Sequence, residues 1–260
     1  MKKVIACVGD VHGQQLLMLN MLKKIEEKKG VEITHVLQVG DFEAVRYESD
    51  LETIVTPEKY RHLGEFNYFF DGYEEFPWPV TFIGGNHEAY GLLEEHKTGH
   101  ELVKNCHYLG RYGHFSIANE IKVSGLTGIY HPELHKALRD DADLSSKRGL
   151  KRLTYYNLSD VASLERCGPC DILMIHDWPA DIVTKKDLDE MKQTFDPATL
   201  GSPITSGLIK RMKPKIVICG HMHLPFSKKV GDTTVFFLNA VPGKQSIALI
   251  DEEMNISFAN

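Results

Sequence analysis

Histidine and carboxylate recur in short words spread along the chain: Asp10-Val11-His12-Gly13, Gly40-Asp41, Gly85-Asn86-His87-Glu88, His176-Asp177 and Gly220-His221-Met222-His223. Imidazole suits Zn, Fe or Mn, and carboxylate oxygen suits Mn, Fe or Mg. The mixture therefore points to a pair of divalent metal ions. Asp41 stands alone and is the natural bridge between them. Asp10 and His12 lie two residues apart, so an extended turn offers both to one ion. His221 and His223 share that spacing and can serve one ion each. Two ions roughly 3.5–4 Å apart lower the pKa of a shared water and clamp an in-line displacement at phosphorus. The expected reaction is displacement at phosphorus with a hydroxide as the nucleophile. His87 adjoins Asn86 without needing to bind metal, and can donate a proton to the departing oxygen.

These words need strands to aim them. Lys3 to Val8 reads as a buried strand, and so do Val36 to Val39, Val80 to Ile83, Ile172 to Ile175 and Ile216 to Cys219. Each runs directly into one of the words. In open α/β sheets ligands bind beyond the carboxyl ends of the strands, so all the words should converge on one rim. Leu16 to Ile25 has helical spacing and Gly30 as its stop. Ser159 is a candidate cap for a short helix through Leu164. Ser202-Pro203 opens a helix running to about Met212. Ile121 to Val123, Val235 to Leu238, Ile247 to Ile250 and Ile256 to Phe258 read as further β structure. The class is α/β, layered, with several inner strands. One domain over 1–260 is expected, with insertions at about 43–79 and 130–156 lying above the rim.

The 260 residues are 42% hydrophobic and 25% charged, enough for a full core. A formal net charge of −6 argues against holding nucleic acid by bulk attraction, while leaving room for a local basic patch. The five cysteines are an odd number in a long chain and do not read as a disulfide framework. The apolar run Val4 to Val8 is too short for a signal peptide, and no stretch has transmembrane length. A soluble cytoplasmic protein is the expectation.

Bland readings hold for much of the remainder. The other histidines, such as His35, His62, His96, His100 and His131, read as structural or surface residues. His96 and His100 have the spacing of one helical turn. Cys167-Gly168-Pro169-Cys170 lacks the second pair a zinc site needs. Glu88 and Asp177 read as residues that orient ligands. Phe66, Tyr68, Phe69, Phe70 and Tyr73 read as a small core under the first insertion. In that insertion Lys59, Tyr60 and Tyr68 are candidates to touch a sugar, phosphate or base. Lys147, Arg148, Lys151 and Arg152 form a basic cluster in the second, read equally as a solvated loop or a phosphate grip.

The five words, in this order, resemble those of the calcineurin-like metallophosphoesterases. That resemblance implies an αββα sandwich. It implies one metal held by Asp10, His12, Asp41 and His223, and another held by Asp41, Asn86, His176 and His221. Flanking words narrow it. Gly40-Asp41-Phe42-Glu43-Ala44-Val45-Arg46, Lys59-Tyr60-Arg61-His62 and Phe82-Ile83-Gly84-Gly85-Asn86-His87-Glu88-Ala89 resemble the RNA lariat debranching enzymes. So do Tyr108-Leu109-Gly110, Gly125-Leu126-Thr127-Gly128-Ile129, His176-Asp177-Trp178-Pro179 and Leu200-Gly201-Ser202-Pro203. In that group the substrate is RNA with a 2′–5′ branch, and the basic cluster matches the position of a lariat-recognition loop. One departure stands out. Eukaryotic debranching enzymes carry Cys-x-His where this chain has Asp10-Val11-His12. A carboxylate is harder than a thiolate, which shifts preference among Mn, Fe and Zn toward Mn or Fe. The long C-terminal extension of those enzymes is also missing from this sequence. Two alternatives follow: a general phosphoesterase on small nucleotides or phosphoproteins, and a non-catalytic scaffold. The filled ligand positions place the scaffold last.

Overall fold

The computed structural model describes residues 1–58, 61–117, 120–137 and 144–260. The first strand, β1 (Lys2–Val8), is buried on both faces, which is why it reads as a continuous apolar run. Val4, Ala6 and Val8 point one way, Ile5 and Cys7 the other, and the two sets enter different cores. The strands that follow are β2 (Val31–Gln38), β3 (Val80–Phe82), β4 (His100–Val103), β5 (Cys106–Tyr108), β6 (Tyr112–Ile117) and β7 (Ile121–Leu126). Then come β8 (Ile172–Ile175), β9 (Ile216–Cys219), β10 (Phe226–Val230), β11 (Thr233–Phe237), β12 (Ile247–Asp251) and β13 (Ile256–Phe258).

Two sheets result. Their orders are β13-β12-β1-β2-β3-β5-β4 and β10-β11-β9-β8-β7-β6. β1, β2 and β3 run parallel in the first, and β7, β8, β9 and β11 in the second. The sheets meet through Ile5, Cys7, Leu37 and Ile83 on one side and Ile172, Met174, Ile216 and Ile218 on the other. The helix Gln15–Lys29 covers the outer face of the first sheet with Met18, Leu19, Leu22 and Ile25. It ends at Gly30 in the left-handed region (φ 62°), where glycine is unstrained. The helices Leu158–Arg166, Lys185–Glu190 and Pro203–Met212 cover the second sheet through Val161, Leu164, Leu188, Leu208 and Met212. Helix, sheet, sheet and helix stack in the expected αββα order.

Several sequence expectations need correction. The helix after residue 156 is capped by Asn157, not Ser159: Asn157 Oδ1 accepts from Asp160 N at 2.9 Å, and Asp160 Oδ2 accepts from Asn157 N at 3.0 Å. β2 begins at Val31 rather than Val36. β4, β5, β6 and β10 were not foreseen. His96 and His100 do not share a helix, because one helix ends at Glu95 and His100 opens β4; their rings nevertheless stack 4.3 Å apart. In the stretch 43–79, Phe66, Phe69 and Phe76 are buried with Phe42, while Tyr68 and Tyr73 are exposed. The stretch 130–156 carries the helix Lys147–Leu153, whose Leu150 and Leu153 enter the core. Among the described residues no helix is long and apolar enough to cross a membrane.

Candidate metal centre

Every histidine or carboxylate word sits just past a parallel strand. Three follow the first sheet (β1, β2, β3) and two follow the second (β8, β9), so the rim is shared between sheets. The backbone bends sharply to get there. His12, Asp41, Glu43, His221 and His223 all have positive φ, from 47° to 71°. Left-handed geometry costs an ordinary residue on the order of 1 kcal/mol, so surrounding bonds must hold it. They do. Val11 N and His12 N both donate to Asp41 O, at 3.0 and 2.8 Å. Gln38 Nε2 donates to Gly9 O and Gly40 O, tying the ends of β1 and β2 together. The buried Glu88 carboxylate accepts from the backbone N–H of Phe42, Glu43 and Gly85.

The ligand atoms then crowd together. His223 Nε2 lies 2.7 Å from Asp10 Oδ2 and 3.3 Å from His12 Nε2. His12 Nε2 lies 3.9 Å from Asp41 Oδ2. His176 Nε2 lies 3.4 Å from Asp41 Oδ2 and 3.2 Å from Asn86 Oδ1. The His221 ring centroid is 5.1 Å from that of His176. Its backbone N–H donates to both Asp10 oxygens at 3.1 Å. Among the described residues two groups therefore have ligand geometry: Asp10, His12 and His223, and Asp10, Asp41 and His176. Asn86 and His221 border the second. Close approach depends on glycine. A Cβ on Gly85 would meet Asp41 Oδ1 at 2.2 Å, and one on Gly220 would meet Asp10 Oδ1 at 2.1 Å.

The donor chemistry fits divalent cations. His12 Nδ1 donates to Glu43 Oε1 at 2.9 Å, and His176 Nδ1 donates to Val39 O at 2.8 Å. Each bond leaves the Nε2 lone pair facing the centre, the arrangement of a metal-ligating imidazole. The site is also strongly electronegative. Burial pulls the His12 pKa down, yet Glu43, Asp41 and Asp10 override it and raise the ring to about 9. Burial opposes His176 in the same way, and Asp41 and Asp10 lift it to about 10. Burial would raise Asp41, but His176, His87 and His12 hold it well below the usual carboxylate range. Positive charge belongs in this centre, and divalent cations held by these residues would supply it.

His87 stands at the edge. Its backbone N–H donates to Asp41 Oδ1 at 2.7 Å, its ring lies 5.4 Å from that of His12, and its Nδ1 meets Thr56 Oγ1. Sequence reasoning missed Thr56 and Glu43. Glu43 had a faint signal, two residues beyond Asp41 and left unassigned. Thr56 had none, because its partnership is made across the fold.

The proposed substrate residues are more scattered. Lys147, Arg148 and Lys151 project from the helix Lys147–Leu153 into solvent, and Arg152 is half-buried. The chain just beyond that helix pairs with Ile129: Ile129 N donates to Thr154 O, and Tyr156 N to Ile129 O. Next to it, Tyr130 N donates to Asp177 Oδ2, beside His176. The basic helix is thus tied to the rim. Tyr68 is exposed on the helix Phe66–Phe70, one turn past Glu65, whose N–H donates to Gly13 O. Lys59 and Tyr60 lie outside the described residues. Cys167 is exposed and Cys170 buried, both free.

Comparison with known sequences decides the affiliation. The calcineurin-like phosphoesterase pattern matches residues 3–225. The chain belongs to the calcineurin-like phosphoesterase family. Members use divalent metal ions, which agrees with the donor set above. Among curated relatives, the lariat debranching enzyme of Entamoeba histolytica is 34% identical over 95% of this chain and 71% of its own length. That of Arabidopsis thaliana is 30% identical over 96% of this chain and 63% of its own length. The chain spans less than half the length of the vertebrate relatives it matches. A solved Thermus thermophilus structure shares the fold, with a TM-score of 0.61 at 14% identity over 100% of this chain and 99% of that one. As a calcineurin-like phosphoesterase, the protein is a hydrolase of phosphoester bonds.

Proposed function

We propose that this phosphoesterase hydrolyses the 2′–5′ phosphodiester at an RNA branch point. The observation that carries the reading is the paired ligand group sharing Asp10, with His87 beside it. The similarity to proteins named lariat debranching enzymes supplies the substrate. Asp10, His12, Asp41 and His223 are assigned to one cation, and Asp41, Asn86, His176 and His221 to the other. When bound, such a pair polarises the phosphoryl oxygens and activates water. The carboxylate at Asp10 favours Mn or Fe over Zn.

The chain's own residues do the rest. Asp41 fixes both sets of ligands and holds the His87 backbone. Glu43 and Val39 O orient the His12 and His176 rings. His87 delivers a proton from Nε2 to the departing 2′ oxygen, since its Nδ1 is engaged by Thr56. Lys147, Arg148, Lys151 and Arg152 attract phosphates flanking the branch, and Tyr68 offers a face for an unpaired base. The test is turnover of a 2′–5′ branched oligonucleotide beside its linear 3′–5′ counterpart, with Mn added. The branched bond should be strongly preferred. Equal rates, or faster hydrolysis of an aryl phosphate monoester with little RNA turnover, would replace this reading with a general phosphoesterase.

A further inference from the structure

Among the described residues the two sheets have four edge strands, β13 and β4 in the first and β10 and β6 in the second. An edge strand invites pairing with another chain, and proteins blunt it with brevity, charge or irregularity. Three of the four are blunted. β13 has three residues, β4 carries Glu101 beside a break in register, and β10 carries Lys228 and Lys229. β6 has none of these devices. It runs six residues, Tyr112–Ile117, without Lys, Arg, Asp, Glu or Pro, and all six pair with β7 in one register.

The pairing fixes which groups of β6 face outward. Thr127 N donates to Arg111 O at 2.9 Å, and alternation from that pair gives the bonds to β7 to Gly113, Phe115 and Ile117. Lys122, opposite Ser116, turns its carbonyl the other way, to Asp171 N. Tyr112, His114 and Ser116 therefore direct N–H and C=O away from β7. Among the described residues none of these groups meets a backbone partner.

A cleft of about 460 Å³ lies along this edge, lined by Tyr112 to Phe115 and, from the first sheet, by Thr81 and His107. Leu37, Thr81 and His107 stand side by side on β2, β3 and β5, and Leu37 packs between the sheets. Exposure changes along that row: Leu37 and Thr81 are buried, His107 is exposed. The second sheet thus stops short of β5, and a further strand beside β6 would cover His107. Among the described residues no Lys, Arg, Asp or Glu lines the cleft, while Leu109 and Phe115 give it apolar surface.

We infer that β6 accepts an extended segment of a partner protein as an added strand of the second sheet, with an aliphatic or aromatic side chain of that segment entering the cleft. Main-chain bonds to Tyr112, His114 and Ser116 supply affinity, and the uncharged cleft supplies selectivity. A charged side chain there would lose water without gaining an ion partner. A second folded copy fits less well, because the first sheet continues past β3 through β5 and β4. Each copy would bring those strands into the space between the two edges.

The inference is independent of the phosphoester chemistry. The probe is a display library of random seven-residue peptides panned on the Mn-loaded protein, with the recovered peptides synthesised and titrated by calorimetry. They should share an aliphatic or aromatic residue at one fixed position. In their presence, amide exchange read by NMR should slow at least about tenfold at Tyr112, His114 and Ser116 and stay unchanged at Gly113 and Phe115. Ser116→Pro removes one outward N–H and leaves the bonds to β7, at a position where an edge strand tolerates proline. It should weaken binding about tenfold, while Ser116→Ala stays within about twofold of the wild type. No recovered peptide, peptides that leave those three amides unprotected, or equal affinity in Ser116→Pro would each overturn the inference. Protection of the same amides that grows with protein concentration in the absence of peptide would overturn it too, by giving the edge to a second copy.

Discussion

Thr56 Oγ1 and His87 Nδ1 lie 2.5 Å apart, joining residues 31 positions apart in the chain. Thr56 is itself held: Arg61 Nε donates to its carbonyl at 2.7 Å, and the residue is buried. Engagement of Nδ1 by the hydroxyl locks the ring and leaves Nε2 as the atom free to handle the proton. Thr56→Val keeps the shape and deletes the bond. It should lower kcat about tenfold while KM stays within about twofold, and Thr56→Ser should restore the rate. Steady-state kinetics on all three proteins check this. An unchanged kcat in the valine variant would show that the ring needs no such support.

His87 and Asp41 should separate cleanly by metal content. His87→Ala removes the proton donor and none of the assigned ligands, so turnover should fall by about 10²–10⁴-fold with bound metal intact. Asp41→Ala removes the proposed bridge and should lose metal as well as activity. Elemental analysis of both purified proteins distinguishes the two outcomes. Full metal in the Asp41 variant would sink its assignment as the bridge.

What the sequence made legible tracks burial and chain distance. β8 and β9 match their expected bounds because all four residues of each are buried, leaving unbroken apolar runs. The Ser202-Pro203 start was legible because the cap is local: Ser202 Oγ accepts from Ile204 N and Thr205 N. Val31 to His35 escaped notice because that half of β2 is only partly buried and reads as mixed polarity. In Lys147–Leu153 four cations mask the two leucines that anchor it. The ligand words were visible because their chemistry is local. Their supports, Glu43 and Thr56, were not, because a carboxylate or hydroxyl acquires its partner only when distant strands meet.

Gly85 tests how tightly the centre is packed. An added Cβ would stand 2.2 Å from Asp41 Oδ1 and 2.6 Å from His176 Nε2, so one of those ligands must move. Displacements near 1 Å at a catalytic centre cost about 100-fold. Gly85→Ala should therefore lose at least that much in kcat/KM and show reduced metal content, although the change is one methyl group. Retained metal and near-normal kinetics would mean that the rim is far more yielding than these distances imply.

The basic helix should reveal itself through salt. Lys147, Arg148 and Lys151 are exposed on a protein whose net charge is −6, so their pull on RNA is local. Each lost phosphate contact reduces the slope of log affinity against log salt by about 1. The triple change to Gln should raise KM for branched RNA at low salt and flatten its salt dependence by about 2–3, leaving kcat at saturation nearly constant. Identical salt slopes in the two proteins would make the helix a solvated surface element.

His35 should govern part of the acid sensitivity of folding. It sits on β2, with Nε2 2.9 Å from Thr81 Oγ1 and its ring 5.8 Å from that of Phe115. Burial disfavours the charged ring and lowers its pKa from 6.5 to about 4. The unfolded chain therefore takes up a proton before the folded one does. The associated stability is fully present above pH 6.5 and is lost as pH falls from 6.5 toward 4. Each pKa unit is worth about 1.4 kcal/mol, and partial exposure trims the sum to about 1–3 kcal/mol. Urea unfolding of the chelator-treated protein at pH 7.5 and 4.5 should show this loss in the wild type and a correspondingly smaller one in His35→Gln. Equal losses in both would assign the acid sensitivity to other groups.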